Sequence, residues 1–177
     1  MTRDTLPFLN GWRIAGWGSL LAVLLIPFVA MQITNEVDWT LIDFVFAAIL
    51  LIFLGGAVEL ALNGARSTFA RLGLALAGVT AFLTLWSNAA VGIIGAESEP
   101  LNTGFFILVL GGIAASALAR FRPRAMHVVT AVLSVSQIVM GLVATQVLPG
   151  YGVEWGVLAF FAILWGAASW SFRRAAR

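Results

Sequence analysis

The chain has 177 residues, 61% of them hydrophobic and only 10% charged, with a formal net charge of +2. A soluble domain keeps about a quarter of its residues charged because its surface faces water, so this composition excludes a water-soluble globule and turns the surface towards lipid. Cysteine and lysine are both absent, which excludes disulfides, cysteine-ligated metals, thiol and amine nucleophiles, a Schiff-base lysine and a phosphate-loop lysine.

A membrane span needs about 20 mostly apolar residues, and six segments qualify, at about 12–33, 39–63, 70–95, 102–120, 126–148 and 154–172. The first follows Arg3 and Arg13 and has the outline of a signal peptide. Its apolar run is as long as a full span, and Val29-Ala30-Met31 is a poor cleavage site, so it reads as the first helix. Pro27 removes a backbone donor and predicts a kink.

The connection T-N-E-V-D-W leads into the second span, which carries Asp43 about one turn inside. Two readings stand for Asp43. It caps the helix N-terminus, or it forms a ligand, proton or cation site on the outer side with Gln32, Asn35, Asn88 and Gln137. Glu59, sixteen residues later, is rotated by about 160° from Asp43, so the two acids cannot pair on this helix. Glu59 reads as one half of an inner ion pair with Arg66, Arg71, Arg120 or Arg122, and a proton relay is the competing role.

Helices in lipid associate through small residues and buried hydrogen bonds. The third span carries Gly73, Ala77, Ala81, Thr84, Asn88 and Gly92 on one face, and the fourth has Gly111, Ala115 and Ala119 at four-residue steps. The fifth aligns His127, Thr130, Ser134, Gln137, Gly141 and Thr145, and the sixth adds Ala159, Ala162, Gly166 and Ser169. All four stripes are expected to face the bundle interior and pack closely, with the lining of a solute path the competing use of a polar stripe. His127 is expected to bond a backbone carbonyl, since one histidine cannot make a metal cluster or a bis-histidine haem site. Glu36, Asp38, Glu97, Glu99 and Glu154 are too dispersed for a calcium loop and read as solvated. No metal and no cofactor is expected.

Six alternating spans put all ten arginines on one side: Arg3, Arg13, Arg66, Arg71, Arg120, Arg122, Arg124, Arg173, Arg174 and Arg177. The opposite side holds only acids. The positive-inside rule then places both termini in the cytoplasm, and the short clusters beside apolar runs argue against a nucleic-acid face. The fold class is an all-α membrane protein, one six-transmembrane-helix bundle over residues 1–177. An internal echo, V-A-M-Q-I then V-D-W at 29–39 against V-A-T-Q-V then V-E-W at 143–155, leaves open a duplicated hairpin or a likeness between helices that end in interfacial tryptophan.

V-A-M-Q-I-T-N-E-V-D-W-T-L-I-D-F (29–44), A-V-G-I-I-G-A-E-S-E-P (90–100) and A-R-F-R-P-R (119–124) resemble the signature stretches of small, uncharacterised bacterial integral inner-membrane proteins. The resemblance implies a bacterial inner-membrane protein made of this one domain and brings no activity, cofactor or catalytic residue.

Motifs for zinc hydrolases, serine-nucleophile elbows and phosphate loops are missing from the sequence, so an enzyme is not expected. Two functions compete. One is a non-enzymatic accessory, scaffold or lipid-like-ligand-binding module, and the other a small proton-coupled transporter or channel acting as a homo-oligomer. Expected partners are the lipid bilayer and a membrane protein or further copies of the chain.

Overall fold

The computed structural model describes residues 11–65, 67–150 and 152–177. The helices are α1 (Gly11–Ile33), α2 (Leu41–Glu59), α3 (Thr68–Ala90), α4 (Thr103–Leu118), α5 (Pro123–Val147) and α6 (Trp155–Ala175). Counting the π turn that extends α2 to Gly64 and the 3-10 turn that starts α4 at Pro100, six helical segments among the described residues are long and apolar enough to cross a membrane. They group into two compact units, one ending at Gly56 and the other running from Ala57 to Arg177.

In the first unit α1 contributes no buried residue, whereas α2 buries Ala47, Leu50, Leu51 and Gly55. Gly55 lets the helices approach. A methyl group there would lie 2.6 Å from the Trp17 ring and 3.0 Å from Leu20, a separation that only glycine tolerates. The Asp43 side chain starts α2, as described below.

The second unit opens with the last residues of α2, which widen into a π turn over Leu60–Gly64. Ala57 packs on Gly78 of α3, where a side chain would meet its methyl at 2.5 Å. Helices α3 to α6 then run up and down. The most extensive pairing is α5 with α6, followed by α3 with α6, while α4 packs against α5 and α3. Glycines set each approach. A Cβ at Gly73 would strike Phe172 at 2.9 Å, one at Gly112 Leu133 at 2.8 Å, and one at Gly141 Leu158 at 2.6 Å. Phe105, Val109, Leu158, Phe161 and Phe172 fill the space between.

The α3 stripe is buried from Gly73 to Asn88. The helix stops at Ala90, five residues short of the expected span end, although the A-V-G-I-I-G run remains apolar. Gly92 and Gly95 take left-handed φ angles of 74° and 64° and break the helix. Ile93 and Ile94 nevertheless stay buried, so the run is apolar because it tucks under the bundle as a loop.

The fourth-span expectation needs correction. Gly111 and Ala115 are exposed, and the buried face is Phe105, Val109 and Ser116, with Gly112 meeting Leu133. Gly111 and Gly112 are adjacent and about 100° apart on a helix, and the larger side chains decide which of them turns inward. Thr145 is also exposed, its place in the core taken by Ala144.

The α4–α5 turn is unusual. Arg120 and Phe121 both lie in the left-handed region, at φ 54° and 53°, where an ordinary side chain costs about 1–2 kcal/mol. The turn is a Schellman cap: Phe121 N–H donates to Ser116 O and Arg120 N–H to Ala117 O, both at 2.9 Å. Arg122 is extended, as a residue before proline must be, and Pro123 begins α5.

Candidate functional site

Asp43 is a cap. Its Oδ2 accepts from Thr40 N–H and from Thr40 Oγ1, each at 2.7 Å, while Asp43 N–H points back at Thr40 Oγ1 at 3.4 Å. This reciprocal T-x-x-D arrangement is a capping box that satisfies otherwise orphaned donors at the start of α2. Asp43, Gln32 and Asn35 are exposed, and the Gln32 amide reaches back to the Phe28 carbonyl at 3.4 Å.

Glu59 Oε2 accepts from Asn63 Nδ2 at 2.7 Å, and the same amide also bonds the Glu59 carbonyl at 3.0 Å, tying the π turn to the end of α2. Arg66, one expected partner of Glu59, lies outside the described residues. The others share its end of the second unit. Gly73 beside Phe172 brings the start of α3 to the end of α6, and His127 beside Ser169 brings the start of α5 there too. Arg71, Arg120, Arg122, Arg124, Arg173, Arg174 and Arg177 are therefore gathered at one end, and Glu97, Glu99 and Glu154 at the other. Arg174 also stacks over the Trp170 ring at 5.2 Å.

His127 makes its carbonyl contact with α6. Ser169 Oγ donates to His127 O at 2.9 Å, so the imidazole Nδ1 carries the proton and donates to Ser169 Oγ at 2.7 Å and to Ser169 O at 3.1 Å. Two turns on, Ser134 Oγ donates to Ala162 O at 2.7 Å. These bonds fix the register of α5 against α6.

Two positions escaped the sequence reading. Asn102, in the connection A-E-S-E-P-L-N-T, occupies the N-cap position of α4, yet its side chain turns the other way. Its Oδ1 accepts from Ile93 N–H at 3.2 Å and Ile94 N–H at 3.0 Å, and its Nδ2 donates to Ile94 O at 3.0 Å and Ala96 O at 2.8 Å. Asn88 Nδ2 completes the knot by donating to Asn102 O at 2.9 Å. Buried peptide groups must find partners, and Asn102 supplies them for the loop after α3. The available signal was an asparagine directly before an apolar run.

Trp165 is the second. Tryptophan favours membrane interfaces, where its N–H can be wet, so one in the middle of the sixth span is a flag. Its Nε1 is buried without a partner, as are both amide atoms of the fully buried Gln137 and the Oδ1 of Asn88.

The architecture is thus that of a multi-pass α-helical membrane bundle, with the described arginines of its larger unit gathered at one end together with Glu59, and its remaining acids at the other. No family model, no curated protein and no solved structure matches the chain. No cluster of three or more metal-ligating side chains occurs among the described residues.

Proposed function

We propose that this chain is a non-enzymatic accessory or scaffold module of a bacterial inner membrane, with both termini cytoplasmic and its surface offered to lipid and to a membrane protein partner. One observation carries the reading: the side chains that proton transfer or catalysis would draw on are engaged in bonds that build the bundle. Asp43 closes a capping box, Glu59 holds Asn63, and His127 and Ser169 lock α5 to α6. The arginine-rich end supports the orientation, because arginine is retained on the cytoplasmic side and meets its anionic headgroups.

The competing reading, a proton-coupled transporter or channel, draws on the unpartnered Gln137 amide in the core of the second unit. Proton flux into proteoliposomes separates the two. The scaffold reading expects wild-type flux equal to that of protein-free vesicles, with Asp43→Asn and Glu59→Gln altering only stability. Flux above that background, abolished by either substitution in a folded protein, refutes it.

A further inference from the structure

The bonds of the second unit define which side chains share a level. Ser134 meets Ala162, and Gly141 lies under Leu158, so Gln137 faces the α6 turn between those two residues. Trp165 lies one turn further along α6. In a helix, long side chains lean towards the N-terminus. Helices α5 and α6 are antiparallel, so this lean carries Gln137 towards Ser134 and Trp165 towards Ala162, two positions that the Ser134–Ala162 bond sets at one level. On α3 the contact of Gly73 with Phe172 sets Thr80 and Thr84 beside this level, both fully buried. Their hydroxyl protons go to Leu76 O at 2.6 Å and Thr80 O at 2.7 Å, leaving oxygen lone pairs as acceptors.

This level therefore holds unused capacity of both kinds. Gln137 Nε2 and Trp165 Nε1 have protons to donate, and Gln137 Oε1 accepts, with Asn88 Oδ1 a further acceptor about one turn along α3. No charged side chain is buried among the described residues. An ion would meet no countercharge here, whereas an unpaired amide in an apolar core is costly.

We infer that Gln137 and Trp165 form an internal binding site for a small uncharged molecule that both donates and accepts hydrogen bonds, of the size of water. The guest accepts from the Trp165 indole and donates to the Gln137 carbonyl oxygen, and so bridges α5 and α6 within the core.

Water itself is the probe. The intact protein, carrying ¹⁵N-tryptophan in detergent micelles, is examined for magnetisation transfer between water and indole protons, with Trp165→Phe identifying the Trp165 signal. The inference expects a water cross-peak at the Trp165 indole proton that Gln137→Leu removes while the other indoles are unchanged. Absence of the cross-peak in the wild type overturns it. So does contact only with the Gln137 carboxamide, which would mean a direct bond with no guest. Gln137→Met, of similar length without the amide, provides a check should the leucine variant not fold. A lowered Tm supports a bound guest, and a raised Tm shows that the amide was simply unpaired.

Discussion

Replacing Asn102 with alanine removes four side-chain bonds to the backbone of the loop between α3 and α4. Each intramolecular hydrogen bond contributes about 0.5–1.5 kcal/mol net, and a buried group left unpaired costs about 1–3 kcal/mol. The amide oxygen and nitrogen are each shared between two partners, which weakens the individual bonds, and Ala96 is exposed and regains water. Ile93 and Ile94 are 3% and 1% exposed, and their peptide groups have no such relief. The expected loss is roughly 3 kcal/mol, close to that of a large core truncation. Asn88→Ala, which removes a single bond to the Asn102 carbonyl, is expected to cost only about 1 kcal/mol. Unfolding in mixed micelles of increasing SDS fraction, followed by far-UV circular dichroism, measures both. A loss below about 0.5 kcal/mol for Asn102→Ala, within the range of an ordinary surface substitution, would refute the assignment of Asn102 as the organiser of this loop.

Two further substitutions test the packing and the backbone. Arg120→Gly relieves a left-handed arginine in the Schellman turn, and the same unfolding assay should show a gain of about 1 kcal/mol; a loss would mean that the arginine side chain stabilises the turn by more than its strain. Gly141→Leu drives a side chain into Leu158 and Trp155, which a Cβ alone would approach at 2.6 and 2.8 Å, and should cost about 3 kcal/mol or separate α5 from α6. A neutral result would show that the two helices are not held at this distance.

Much of the fold was legible because lipid makes the sequence simple. Six apolar runs, punctuated by short polar connections and arginines, correspond to the six helices. The stripe on α3 was legible for the same reason, as its small residues from Gly73 to Asn88 are buried. On α6 only Ser169 of the expected stripe is buried, and the buried face is carried by Leu158, Phe161, Trp165, Ala168 and Phe172. The α4 stripe was not legible either. Adjacent Gly111 and Gly112 make two faces equally small, and only the partner helices decide between them. The loop after α3 misled because an apolar run with glycines has the composition of a helix end, and its left-handed turns appear only in three dimensions. The candidate site fared differently again. Asp43 carried both its readings in the sequence, and its capping partner is Thr40, three residues upstream. The role of Asn102 was hidden because its partners are backbone groups, which leave no trace in residue identity. Trp165 stood out only by its depth in the span.

Native mass spectrometry of the protein, released from its own membrane by a mild detergent, tests the functional account most directly. A scaffold or accessory module predicts a complex with a second membrane protein in fixed stoichiometry. A monomer or homo-oligomer that carries no other protein, and conducts protons when reconstituted, would contradict it.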